Sequence, residues 1–221
     1  IVWLDTRAEV EAGIVSREAG ADELYRRTGI ADCNATCPIS KLLWIKKHAP
    51  NLYTAASRFL LVEDYLILRL TGRFVSEKSV MSTTGYYDIY HDALWTELLE
   101  ALGLDPGKLP ETLDCGEEAG TVLPSVAAEL GLSPRALVVT AAMDQIASTL
   151  GAGNVADGII TETTGTVLAI AATCGKESLC ADKHVTVYKH ALPGKYLYLP
   201  ICMTGGMALK WFKDQFCAAE Q

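Results

Sequence analysis

A run of apolar residues, Ala136-Leu137-Val138-Val139-Thr140, leads through Ala141-Ala142-Met143 into Asp144-Gln145 and a helix-forming stretch that ends near Leu150. A buried strand feeding an acidic residue at a helix start sets a carboxylate at the carboxyl edge of a sheet, where the helix N-terminus favours its ionised form. Such a carboxylate, beside an alcohol, can accept the proton during phosphoryl transfer. Asp is also a preferred helix cap, so on this position alone general base and cap both stay open. Two glycine segments follow. Thr163-Thr164-Gly165-Thr166 lies between β-prone runs, so a tight hairpin turn is expected, in which glycine permits close backbone approach and a Thr hydroxyl can donate to a phosphate oxygen. Thr204-Gly205-Gly206 precedes a helical pattern from Met207 to Phe216 and would offer a helix N-terminus to an anion. Taken singly, each also reads as a plain turn or helix start. At the beginning, Trp3, Asp5 and Arg7 alternate; in an extended strand all three would face one side. An aromatic surface there would cover a polyol's carbon skeleton while Asp and Arg bond its hydroxyls, although such strand-end residues are structural at least as often.

The elements that would position these groups alternate in type. Arg7 to Ala19 and Ala21 to Thr28 carry helix formers and charges, the second stopped by Gly29. Ser40 to Ile45 and Ala55 to Leu70 show apolar spacing of 3 and 4, the second closed by Thr71-Gly72. Gly85-Tyr86-Tyr87-Asp88 is expected as an exposed turn, Ala93 to Leu102 as a short amphipathic helix, Pro106 to Pro110 as a loop, and Pro124 to Leu130 as a helix stopped by Gly131. A helix followed by the buried strand Ala136 to Thr140 is α/β grammar. After Gly151-Ala152-Gly153, strand-like runs at 158–163, 167–174, 184–190 and 195–201 predict an antiparallel opening to a second domain.

With 221 residues, half hydrophobic and 21% charged, the chain has material for a sizeable core and for more than one domain. Its formal charge of -8 supplies no basic field for nucleic acid. Seven scattered cysteines (33, 37, 115, 174, 180, 202 and 217) read as reduced thiols. Cys33 and Cys37 lack a second pair to complete a zinc site, and the four histidines are dispersed. No apolar run approaches the roughly 18 residues that span a bilayer, and the opening Ile1-Val2-Trp3, without methionine, suggests an internal piece of a longer protein.

Taken in order, Trp3-x-Asp5-x-Arg7, Lys41-x-x-Trp44, Asp64-Tyr65-Leu66 with Leu70-Thr71-Gly72, Leu109-Pro110-Glu111, Asp144-Gln145, Gly165-Thr166 and Gly205-Gly206 resemble the FGGY carbohydrate kinases over nearly the whole chain. The resemblance implies an α/β chain of the actin-like, ribonuclease-H-like ATPase fold. Residues 1–153 would be most of an N-terminal sugar-binding domain, and 154–221 the beginning of a C-terminal nucleotide-binding domain. It implies ATP-dependent phosphorylation of a sugar or polyol hydroxyl with Asp144 as base, Trp3, Asp5, Arg7 and Gln145 on the substrate side, and Gly165, Thr166, Gly206 and Lys210 at the nucleotide. Mg2+ would accompany ATP, without metal ligands assigned in this chain. The implied partners are a small sugar or polyol and ATP, with neither nucleic acid nor membrane; the setting is cytoplasmic, and a homodimer is compatible with it. The family's phosphate loop would lie upstream of Ile1 and its adenine segment beyond Gln221, so this piece alone is expected not to turn over.

Two departures bear on the substrate. Thr36 stands where glycerol kinases place a substrate-contacting tyrosine, and Ala141-Ala142-Met143 replaces a glycine-rich approach to the base. Both point away from glycerol and toward a ketopentose such as xylulose, with gluconate, glycerol or another sugar as alternatives. The rival from another class is a noncatalytic actin-like module that binds sugar or nucleotide.

Overall fold

The computed structural model describes residues 1–165, 167–176, 185–202 and 204–217; Thr166, Cys180 and His184 lie outside the described residues. After an opening turn come α1 (Glu9–Ala19), α2 (Ala21–Thr28), α3 (Pro38–His48), α4 (Pro50–Ala55) and α5 (Val62–Thr71). Pro38 and Pro50 occupy first turns, where a missing N–H costs nothing. Gly29 and Gly72, with φ of 72° and 78°, close α2 and α5 in the left-handed conformation.

Next come β1 (Val75–Glu77), α6 (Lys78–Met81), β2 (Tyr87–Asp88), β3 (Ala93–Leu94), α7 (Thr96–Ala101), a 3-10 turn at Pro106–Lys108, β4 (Glu111–Leu113), β5 (Glu118–Thr121), α8 (Pro124–Leu130), β6 (Leu137–Val139) and α9 (Asp144–Gly151). Strands β1 and β4 pair in parallel, while β2 with β3 and β5 with β6 pair antiparallel. The last stretch holds β7 (Ile160–Thr164), β8 (Leu168–Gly175), β9 (Val187–Lys189), β10 (Lys195–Tyr198), β11 (Ile201–Cys202) and α10 (Gly206–Phe216). Here β7 lies along one edge of β8, β10 and β11 follow one another along the opposite edge, and β9 pairs with the outside of β10. The antiparallel expectation for this region holds.

The main core joins α1, α2, α3 and α7 through Val15, Leu24, Ile39, Leu43, Leu98 and Leu99, and it also takes in Cys174, Val187 and Tyr196 from the five-stranded sheet. Fully burying one leucine of this kind contributes about 1.5–3 kcal/mol. The β9–β10 hairpin is therefore built into the helical unit. Val187 N–H donates to the Gly29 carbonyl at 2.8 Å, Tyr25 Oη to the Val185 carbonyl at 3.0 Å, and Ala31 N–H to Thr186 Oγ1 at 3.3 Å. A second cluster sets Ile146 of α9 against Ala169, Ala171, Leu197 and Leu199.

Four local expectations are corrected. The single helix expected over Ala55 to Leu70 is broken, because Phe59 N–H turns away to the Lys108 carbonyl (2.8 Å) and Asp64 restarts the helix by accepting from Leu61 N–H (2.8 Å). The expected exposed turn at Gly85 to Asp88 is buried, with Tyr87 fully covered as part of β2. Ala93 and Leu94 form β3 before α7 starts at Thr96, so the helix expected from Ala93 is shorter. The strand expected at Ala136 to Thr140 exists, but it is not buried: Leu137 and Val139 are 59% and 53% exposed. Val138 turns inward onto Ile67, Val75 and Ala119, and strand alternation sends its two neighbours to the open side. Among the described residues, no helix is long and apolar enough to cross a membrane.

Candidate functional site

The link from β6 to α9 is irregular backbone, yet its amides are held by side chains from the helical unit. Ala141 N–H donates to Glu63 Oε1 at 3.3 Å, and Met143 N–H donates to Ser79 Oγ at 3.0 Å. Ser79 Oγ–H in turn donates to Glu77 Oε2, which also accepts from the backbone N–H of Ser79 (2.8 Å) and Val80 (3.1 Å). Upstream, Thr140 N–H donates to the Glu117 carbonyl at 2.9 Å, so the loop is anchored before it begins.

Met143 is the N-cap of α9 and Asp144 its first helical residue, so the cap reading of Asp144 does not describe its place. Inner-face residues Ile146 and Thr149 are buried, which turns Asp144 outward to an exposed position. Its Oδ1 accepts from Gln145 N–H at 2.7 Å. A carboxylate at this end of a helix meets the favourable pole of the macrodipole. Gln145 is half-buried, and its carbonyl accepts from Thr149 Oγ1 at 2.7 Å.

Sequence reasoning passed over Glu63, Glu77 and Ser79. Burial pushes the Glu63 carboxyl up to about 7, and the neighbouring Glu77 and Asp64 carboxylates act in the same direction against the Ala141 amide. Burial also raises Glu77, opposed by its bonds from Ser79 and Val80. Since the folded value of Glu63 exceeds the ordinary 4.5, its stabilising contribution is complete below pH about 4.5 and is lost as pH rises through about 7. Glu63→Gln should therefore flatten this part of the pH–stability curve and raise stability at pH 8 by about 1 kcal/mol, solvent screening at a half-buried group removing much of the nominal shift. Thermal unfolding of both forms between pH 5 and 8 checks this. Parallel curves would exclude Glu63 as the titrating group.

The Trp3, Asp5 and Arg7 segment departs from expectation. It is a turn closed by Asp5 N–H on the Val2 carbonyl (3.1 Å), not an extended strand with three side chains on one face. Asp5 and Arg7 make a bidentate pair, Arg7 Nε donating to Oδ1 at 2.9 Å and Nη2 to Oδ2 at 2.7 Å, and the Arg7 side-chain bond draws the Asp5 carboxyl down to about 2. Lys41 Nζ donates to the Val2 and Trp3 carbonyls at 2.8 and 2.9 Å, and Arg7 lies 5.1 Å from the Trp44 ring centroid. The Lys41-x-x-Trp44 pattern thus braces this turn. Trp3 itself is 65% exposed.

Two glycine segments distant in sequence meet. Gly165 sits in the β7–β8 hairpin turn with its N–H on the Val167 carbonyl (2.9 Å), and Gly206 N–H donates to the Gly165 carbonyl at 2.7 Å. The approach tolerates no side chain, since a Cβ on Gly206 would stand 2.4 Å from Gly165 O and one on Gly205 would stand 2.6 Å from Leu168 N. The two backbones are thus locked together at the start of α10, with both of these amides donating to protein carbonyls. Lys210, one turn on, is exposed and pairs with Asp214 at 2.6 Å. Among the described residues, no hydrogen bond or ion pair connects Asp144 to either the Trp3–Arg7 turn or the Gly165–Gly206 contact. A separate cavity of about 150 Å³ beside Glu77 is lined by charges that satisfy one another: Lys78 with Asp114 at 2.8 Å, and Lys189 with Asp92 at 2.5 Å. It reads as a joint between the helical unit and the β9–β10 hairpin. Among the described residues, no group of three or more His, Cys, Asp or Glu is arranged to hold a metal ion.

A family model described as the FGGY family of carbohydrate kinases, N-terminal domain, matches residues 1–151. Gluconokinase of Bacillus subtilis (strain 168) is 28% identical across all of this chain and 42% of its own length. Xylulose kinase of Staphylococcus xylosus is 26% identical across all of this chain and 45% of its own length. The chain thus spans less than half the length of these curated relatives. Among solved structures, a xylulose kinase from Brucella ovis superposes with a TM-score of 0.86 at 28% identity, over 97% of this chain and 43% of that one. Gluconate kinase from Lactobacillus acidophilus reaches a TM-score of 0.90 at 24% identity, over 100% of this chain and 45% of that one, a likeness of fold. The fold is the actin-like, ribonuclease-H-like one expected from the sequence.

Proposed function

Because the chain belongs to the FGGY family of carbohydrate kinases, we propose that its protein transfers the γ-phosphoryl group of ATP to a hydroxyl of a small sugar or polyol, with Asp144 as general base. One observation carries the residue assignment: Asp144 stands exposed on the first residue of α9, behind a loop whose amides are fixed by Glu63 and Ser79. An ionised carboxylate so placed takes the proton as the substrate oxygen attacks in line.

In this reading residues 1–153 form the sugar side and 154–221 begin the nucleotide side. Trp3 covers carbon skeleton, and Asp5, Arg7 and Gln145 present polar groups to hydroxyls. The Gly165–Gly206 segment, where the backbones approach too closely for a Cβ at Gly206, approaches phosphate together with Thr166 and Lys210. Magnesium, carried with the nucleotide, offsets charge on the phosphate oxygens. The protein works in the cytoplasm. The substrate is a ketopentose such as xylulose.

The test is release of ADP by the complete protein in the presence of xylulose, other pentuloses, hexuloses, gluconate or glycerol. Xylulose is expected to give the highest kcat/KM. A preference for gluconate would replace the substrate assignment while keeping the chemistry, and no ADP release with any sugar, despite ligand-induced thermal stabilisation, would favour a noncatalytic binding module.

A further inference from the structure

The loop ahead of Asp144 is part of no strand or helix; Ala142 and Met143 pack against the Ile146 cluster, and side-chain bonds to the loop amides fix the direction in which α9 presents its first residue. We propose that Ser79 and Glu77 form a buried positioning relay that sets Asp144 in its reactive place; this rests on Asp144 being the base. Glu77 and Ser79 are 1% and 0% exposed. Glu77 caps α6 with one oxygen, Oε2, receiving the Ser79 and Val80 amides and the Ser79 hydroxyl.

That arrangement has a direction. The proton of the Ser79 hydroxyl is committed to the carboxylate, so the lone pairs of Oγ face the other way, and Met143 N–H donates to them at 3.0 Å. On its other side, the Met143 carbonyl accepts from Ala147 N–H at 2.8 Å, the opening bond of α9. Met143 is therefore gripped at both N–H and C=O, and the next residue along the chain is Asp144. Neither Glu77 nor Ser79 needs to touch substrate. Their effect is on the orientation of the carboxylate, where a shift of about 1 Å can cost about 10²-fold in rate.

The experiment uses the complete protein with its best substrate and compares Ser79→Ala, Ser79→Thr and Asp144→Asn. Ser79→Ala is expected to lower kcat about 10- to 100-fold while the KM for sugar and the KM for ATP stay within about twofold, and Ser79→Thr, which keeps the hydroxyl, should recover most of that loss. Should Ser79→Ala fail to fold, Glu77→Gln keeps the serine and the packing but replaces the carboxyl group that aims its hydroxyl, and carries the same expectation. The relay is overturned by a Ser79→Ala kcat within about twofold of wild type, by a sugar KM that rises in step with the loss of kcat, or by Ser79→Thr as slow as Ser79→Ala. The reference variant separates the two failures: near-normal turnover in Asp144→Asn would remove the base itself and the relay with it, whereas an inactive Asp144→Asn beside an unaffected Ser79→Ala would sink the relay alone.

Discussion

Asp144→Asn in the complete protein is expected to lower kcat by about 10²–10⁴-fold while leaving sugar affinity within about twofold. The substitution is close to isosteric, and the structure shows why the fold should tolerate it. Asp144 Oδ1 accepts from Gln145 N–H, a bond that the amide oxygen of Asn also makes. The burial of α9 rests on Ile146 and Thr149, not on residue 144. What disappears is the capacity to take a proton. Steady-state ADP release together with direct titration of the sugar separates the two parameters: an unchanged Kd beside a collapsed kcat marks a group that acts in the transition state. Turnover near the wild-type rate would move the base elsewhere in the protein.

How far the residues announced this arrangement depends on the range of the interactions involved. Helix α8 could be read to the residue because Pro124 and Gly131 punctuate it locally, and α2 likewise between Ala21 and Gly29. Asp144 could be placed at a helix start for the same reason. Burial was harder to read. Tyr86 and Tyr87 look like turn residues beside Gly85, yet the core of α2, α3 and α7 closes over them. Leu137 and Val139 look like core, yet both are more than half exposed and, of that strand, it is Val138 that packs on the Ile67–Val75–Ala119 cluster. In both cases the deciding neighbours are remote in sequence.

The candidate site divides along the same line. The hairpin at Gly165 and the helix at Gly206 were legible as separate motifs, but their mutual hydrogen bond was not. Ser79 and Met143 are 64 positions apart, and Glu63 and Ala141 are 78 apart. Nothing in the local pattern of either partner records such a bond. A faint signal existed at Glu77-Lys78-Ser79, where an acidic residue ends a strand just ahead of a helical turn, as a cap does. The Trp3–Arg7 turn failed for a different reason: alternation is informative only if the segment is extended, and the Asp5–Arg7 ion pair with the Lys41 bonds stabilises a turn instead.

Gly29→Ala is expected to destabilise the protein by about 3 kcal/mol or more, a fall in Tm of about 6–12 °C for a chain of this size. Two costs combine. At φ 72° an L residue sits in the left-handed region, at about 1 kcal/mol or somewhat more. The new Cβ would also lie 2.3 Å from the Val187 carbonyl oxygen and 2.8 Å from Ile89 Cδ1. The oxygen belongs to backbone, so relief requires β9 to move, and movement breaks the 2.8 Å bond from Val187 N–H to the Gly29 carbonyl. Gly131→Ala supplies the control: Gly131 also ends a helix with φ 66°, but a Cβ there meets nothing within 4 Å. It should cost about 1 kcal/mol, or about 2–4 °C. Hydrogen exchange localises the difference, because only Gly29→Ala should hasten exchange at Val187, Tyr188 and Lys189. Equal loss of Tm in the two variants would mean that the glycine conformation alone matters and that the β9–β10 hairpin is not clamped to α2 through this contact. A larger loss confined to Gly29→Ala would make the hairpin part of the helical unit in energy as well as in geometry.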